Sequence, residues 1–294
     1  MSAPLETSDL TKRYRSVVAL DRCDLAIPSG RVVGLVGPNG AGKTTLMHLA
    51  VGLLAPTSGS IRVSGASPTK DPARVLAHVG FLGQDRPLFG SFSVADTLEL
   101  GRRLNPRWDQ GLATSRLNKI GIPLDRKVRS LSGGQRAQVA LTLVLGKRPD
   151  LVLLDEPISN LDPLARREFL GELMAAVAED GATVVLSSHV IEDVARVCDH
   201  LVILAEGKVR LAGDIDDLVR GHALVVEPRQ DGAARDPSAV EITQADRQTT
   251  RLIRTAQPQE PHTCADGSYV RPATLEEIVL AYLRRGAEHV KEAA

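Results

Sequence analysis

One eight-residue stretch limits what this chain can fold into more than any other. Gly37-Pro38-Asn39-Gly40-Ala41-Gly42-Lys43-Thr44 fits G-x4-G-K-[ST]. It follows RVVGLVG (31–37), whose β-branched run predicts a buried strand ending in a tight loop. It precedes KTTLMHLAVGLL (43–54), which predicts a helix. In that setting the glycines let backbone N–H groups wrap phosphate oxygens, and the helix N-terminus adds partial positive charge. Lys43 is expected on the outer phosphates and Thr44 on a Mg²⁺ ion, with Thr45 beside them.

A second element carries paired acids. LVLLD (151–155) is a continuous apolar run, which predicts a buried strand, and Glu156 and Pro157 follow it. Two adjacent carboxylates at a buried strand end need a cation or a reaction to offset their desolvation. Alone they would read as a solvated turn. Beside a phosphate-binding loop, Asp155 is expected to face Mg²⁺ and Glu156 to polarise an attacking water, since phosphoryl transfer needs a positioned nucleophile.

The surrounding pattern is α/β. APTSGSIRVSG (55–65) predicts a turn and a hairpin edge strand, and HVGFLGQ (78–84) a further strand. Residues 93–148 change to helical spacing: SVADTLELGRRL opens with a Ser cap, DQGLATSRLNKIG stops at Gly121, and GGQRAQVALTLVLGKR ends before Pro149. Strand and helix then alternate through DPLARREFLGELMAAVAED, ATVVLSS, VIEDVARVC and HLVILAEGKVRLAG, the last a closing hairpin. This alternation predicts a mostly parallel sheet with a helical insertion. Beyond about residue 221, VEPRQDGAARDPSA and AQPQEPHTCADG are polar and Pro/Gly-rich around a strand pair (ALVVE and EITQADRQTTRLIRTA), and TLEEIVLAYLRRG (274–286) predicts an amphipathic helix.

Leu131-Ser132-Gly133-Gly134-Gln135 opens a predicted helix and matches the signature of the ATP-binding cassette (ABC) family. Physically it is another helix N-terminus aimed at an anion. The other family elements stand in order: Tyr14 at the adenine-stacking position, Gln84 at the Q-loop, Ser159-Asn160-Leu161-Asp162 at the D-loop and His189 at the switch histidine. The chain therefore resembles an ABC transporter ATP-binding subunit, in particular those of type-2 bacterial exporters. Asn160 departs from the glycine commoner at its D-loop position.

The resemblance implies a P-loop NTPase core with a mostly parallel sheet, an antiparallel β subdomain and a helical subdomain at about 86–148, together covering residues 1–220. Residues 221–294 are expected to form a small α+β accessory extension. It further implies that Glu156, His189 and Gln84 serve hydrolysis and that Thr44, Gln84 and Asp155 approach Mg²⁺. Ser132, Gly133, Gly134, Gln135 and Asp162 are implied to meet the ATP held by a second subunit, giving a head-to-tail homodimer. Residues Arg86 to Phe89 are expected to contact a separate transmembrane permease, which would hold the protein on the inner face of the cell membrane.

Charge and composition narrow the class. Lys+Arg and Asp+Glu are equal at 36 each, which weighs against a nucleic-acid partner. No apolar run is long enough for a membrane span, and MSAPLETSDLTKRYRS lacks the apolar core of a signal peptide. Cys23, Cys198 and Cys264 have no metal-ligand spacing and read as reduced thiols in the cytoplasm. An importer ATPase and a soluble ABC ATPase acting on ribosomes or DNA remain as alternatives. The single unbroken cassette weighs against the last.

Overall fold

The computed structural model describes residues 3–229, 238–245, 247–265 and 267–291. Part of the predicted VEPRQDGAARDPSA linker, 230–237, lies outside the described residues.

The phosphate-loop strand is the centre of a six-stranded sheet. Its strands are β3 (Val32–Val36), β5 (Val79–Leu82), β6 (Leu151–Leu154), β7 (Thr183–Ser188), β8 (His200–Ala205) and β9 (Lys208–Asp214), in the order β5-β6-β7-β3-β8-β9. All neighbours are parallel except the β8–β9 hairpin, as the sequence pattern requires. Strands β3, β6 and β7 are buried along their whole length, which is why they read as continuous apolar runs rather than alternating ones.

Each face of this sheet has its own cover. On one, Leu35, Leu153, Val185 and Leu204 pack with Leu46, Met47 and Leu49 of helix α1 (Lys43–Ala50) and with an antiparallel sheet. That sheet has the order β2-β1-β4, from β1 (Leu5–Tyr14), β2 (Val17–Ile27) and β4 (Ser58–Val63). On the other, Val152, Leu154, Val184 and Leu186 pack with Ala137 and Leu141 of α5 (Gly133–Gly146) and Phe169, Leu170 and Leu173 of α6 (Pro163–Asp180). Helices α3 (Val94–Leu104) and α4 (Gln110–Lys119) join α5 around Val94, Leu98, Leu117 and Val139. The predicted Ser cap is present: Ser93 forms a capping box with Asp96.

Several boundaries differ from expectation. Helix α1 stops at Ala50 rather than Leu54, because Gly52 turns the chain at φ 75°. Residues 58–63 form an edge strand, but its partner is β1, so the hairpin of this sheet is β1–β2. His78 ends a short helix, α2 (Pro72–His78), and β5 starts at Val79.

The C-terminal strand pair is part of a five-stranded antiparallel sheet ordered β11-β12-β10-β14-β13. Its strands are β10 (His222–Pro228), β11 (Ala239–Gln244), β12 (Gln248–Arg254), β13 (His262–Thr263) and β14 (Tyr269–Pro272). The short helix α8 (Ile215–Arg220) precedes this sheet, and helix α9 (Leu275–Lys291) follows it. Ile278, Val279, Ala281 and Tyr282 of α9 share one hydrophobic cluster with Val240 and Leu252 of this sheet and with Val36, Leu201 and Ile203 of the central sheet. Val194 of the short helix α7 (Ile191–Val197) completes it. No helix among the described residues is long and apolar enough to cross a membrane.

Candidate functional site

The candidate residues gather at the carboxyl ends of β3, β6 and β7, where an open α/β sheet leaves its crevice. A cleft of about 740 Å³ is lined there by Asn39 to Thr45, Gln84, Glu156, Ser159, Asn160 and His189, with Val17 and Ala19 from β2. Gly37 and Pro38 lead into it from β3.

Two glycines are obligatory for this loop. A Cβ on Gly37 would lie 2.1 Å from the Leu204 carbonyl oxygen. Gly42 caps α1 at φ 109°, and a Cβ there would lie 2.5 Å from the Ala19 oxygen. Lys43 projects inward and is buried. Its Nζ donates to Gly37 O at 2.7 Å and Pro38 O at 3.3 Å, and stands 3.4 Å from Glu156 Oε1. That last contact is an ion pair by distance but lacks hydrogen-bond alignment, so Oε1 keeps an unused acceptor position.

The two acids are held differently. Asp155 is 1% exposed; Oδ1 accepts from Ser187 Oγ at 2.8 Å while Oδ2 is buried without a partner. Glu156 leaves the strand at φ 47°, in the left-handed region, which costs on the order of 1–3 kcal/mol for such a residue. Its amide donates to Ser187 Oγ at 2.8 Å, and Oε2 accepts from His189 Nδ1 at 2.8 Å. Gln84 is exposed just beyond β5, which pairs with β6 through Leu82 and Leu154.

The orphaned Asp155 Oδ2 tests for a cation. Unpaired buried carboxylate oxygen is costly, and it is a donor that a hard divalent ion prefers, as is the hydroxyl of Thr44 in the cleft, although Asp155 is not itself among the residues lining that cleft. Among the described residues no group of three or more His, Cys, Asp or Glu could hold a metal. Mg²⁺ takes few protein ligands and the rest from phosphates and water, so a carboxylate oxygen of this kind is a donor it could use.

The signature residues lie elsewhere. Ser132 caps α5 in a box with Gln135, and Asp162 caps α6 by accepting from Leu164 N and Ala165 N. Ser132, Gly134, Gln135 and Asp162 line a separate cavity of about 500 Å³, which shares no lining residue with the first. Gly133, exposed at the α5 tip, lines a third cleft with Gln84 and Arg86.

Tyr14 is outside the walls of the 740 Å³ cleft. It ends β1, 42% exposed, with Lys12 Nζ 5.2 Å from its ring centroid, and Val17 opposite it lines the cleft instead. Sequence reading also missed Ser187. Its signal was the register of two apolar strands, readable only once β6 and β7 are paired.

Residues 20–159 match the ABC transporter family. The ABC transporter ATP-binding protein YtrB of Bacillus subtilis (strain 168) is 30% identical over 214 residues, covering 73% of this chain and 73% of that protein. The thiamine import ATP-binding protein ThiQ of Escherichia coli (strain K12) is 35% identical over 226 residues, 74% of this chain and 95% of that one. A dimeric bacterial ABC transporter cassette superposes with a TM-score of 0.64 at 25% identity, over 71% of this chain and 98% of the other. With a glycine loop, a strand-end acid pair and a capped signature helix all in place on this fold, the chain belongs to the ABC transporter family as an ATP-binding subunit.

Proposed function

We propose that this subunit hydrolyses Mg-ATP within a head-to-tail homodimer and so drives export through a separate transmembrane permease. The observation that carries the reading is the separation of the two anion-seeking helix ends. The α1 end opens on one cleft, and Ser132, the cap of α5, lines a cavity that shares no residue with it, which supports two protomers rather than one bringing both ends to one phosphate chain. A second copy would supply the missing end, and Leu164, 66% exposed beside the α5 cavity, gives that contact an apolar component.

Within each cleft, Lys43 and the loop amides would bind the phosphates, Glu156 would orient and deprotonate water, and His189 would hold Glu156 in place. Mg²⁺, held by Thr44 and Asp155 with Gln84 near, would neutralise phosphate charge. The permease would meet Arg86 to Phe89. Support there is the 60% exposure of Phe89 and the burial of Arg86 Nε and Nη2 without acceptors in a cleft about 590 Å³ in volume.

Size exclusion in Mg-ATP tests the dimer: Glu156→Gln should elute as a dimer and the double variant with Ser132→Arg as a monomer. A monomeric Glu156→Gln protein would sink the reading.

Import is the second reading. Similarity to a thiamine import protein favours it, as does the β-rich C-terminal sheet, because importer ATPases more often carry such an extension. Transport assays with the copurified permease in inverted vesicles separate the two. ATP-driven accumulation of substrate inside means export, and ATP-driven loss means import.

A further inference from the structure

Ser187 belongs to none of the motifs legible in the sequence, yet it touches both acids. The parallel register Leu154↔Leu186 continues by one residue, which sets Ser187 of β7 beside Asp155. Its side chain is fully buried, at 0% exposure. The Oγ donates to Asp155 Oδ1 and accepts the Glu156 N–H, each at 2.8 Å. An ionised carboxylate only accepts and an amide N–H only donates, so the direction of both bonds is forced. One bond occupies Oδ1 and leaves Oδ2 as the orphan. The other holds the Glu156 amide while that residue sits at φ 47°. From this turn the Glu156 carboxylate reaches Lys43 and His189.

We propose that Ser187 is a positioning residue for the hydrolytic site. Its hydroxyl sets the rotation of the Asp155 carboxylate so that Oδ2 faces the Mg²⁺ of the nucleotide complex, and it pins the left-handed turn that aims Glu156. The proposal rests on the reading of Asp155 and Glu156 given above. Without the hydroxyl, Asp155 Oδ1 and the Glu156 N–H are both left buried and unpaired, and the carboxylate loses the contact that fixes its orientation. Loss of such an orienting partner typically costs about 10- to 100-fold in metal affinity or activity.

The test uses the full chain with Ser187→Ala, Ser187→Thr and Ser187→Val. Thr and Val share a shape, so the difference between them reports the hydroxyl even where the added methyl group crowds the strand. ADP binding is measured by calorimetry in EDTA and in Mg²⁺, and Mn²⁺ binding to the ADP complex by electron paramagnetic resonance. The kcat and KM for ATP complete the set. The expected result is wild-type ADP affinity in EDTA for all variants, with Mn²⁺ affinity weakened about 10- to 100-fold in Ala and Val and largely retained in Thr. The kcat should fall in the same order, and more than KM changes. Equal Mn²⁺ affinity in Thr and Val, or wild-type Mn²⁺ affinity in Ala, overturns the role of Ser187 alone. A wild-type protein whose ADP binding ignores Mg²⁺ overturns the site reading and this proposal together.

Discussion

Lys43 Nζ stands 3.4 Å from Glu156 Oε1, and both side chains are nearly closed to solvent, at 6% and 10% exposure. The same ammonium donates to Gly37 O and Pro38 O. Lysine has three N–H donors, so a nucleotide phosphate bound there would compete with Glu156 for this one cation. The pair would thus couple phosphate binding to the freedom of the proposed water-activating carboxylate.

Glu156→Gln removes the competing charge but keeps the side-chain shape. Hydrolysis should fall about 10²- to 10⁴-fold, the contribution of a positioned general base, while ATP affinity rises. Phosphate-release kinetics and nucleotide titration measure the two. Undiminished hydrolysis would remove Glu156 from the chemistry.

Lys43→Ala deletes the charged donor. Hydrogen bonds to charged groups are worth about 1.5–3 kcal/mol, so ATP affinity should drop by roughly one to two powers of ten. Calorimetry checks it, and unchanged affinity would contradict the phosphate-loop assignment.

Ile278→Ala probes the C-terminal helix. Ile278 is fully buried in the cluster that contains Val36, the residue before Gly37. Emptying that position should cost about 2–5 kcal/mol, lowering Tm by about 2–4 °C for each kcal/mol in a protein this large. The exposed Glu276→Ala is the control. A chain ended at residue 220 should expose the same cluster and yield less folded protein. An unchanged melting temperature in Ile278→Ala would show that α9 only rests on the sheet.

Acid should weaken this same junction. His222 Nδ1 donates to Leu218 O at 2.7 Å, its Nε2 accepts from Tyr282 Oη at 3.2 Å, and Tyr282 accepts from Arg254 Nε at 2.8 Å. Burial, with the Arg254 charge adding to it, lowers the His222 value below 6.5; burial lowers that of His200 in β8 as well. The unfolded chain therefore takes up protons first. Stability from these groups is complete above 6.5 and is lost as pH falls through the lower folded values. Melting temperature should decline on acidification below 6.5, less steeply in His222→Gln. Parallel profiles for the two proteins would rule out the His222 contribution.

The candidate anion sites were legible because they are local. Gly37 to Thr44, and Ser132 to Gln135, each build a helix N-terminus from adjacent residues, so their backbone donors converge wherever the helix forms. The buried parallel strands were legible too, as apolar runs closed by glycine or acid. The antiparallel sheet of β1, β2 and β4 was expected only through the family resemblance, because its residues alternate weakly and β4 is distant in sequence from its partner β1.

What the string of residues settled is therefore the ATP-binding family and the α/β class, carried by short motifs whose geometry is set by their own backbone. Tertiary structure alone decided which of these meet. Strand register brought Ser187 between the acids and Glu156 to Lys43, and helix packing set Ser132 and Asp162 in a cavity that shares no residue with the phosphate-loop cleft. It also fused the C-terminal helix into the core behind Val36. Such contacts join residues far apart in the chain, and only the packing of whole sheets and helices fixes them.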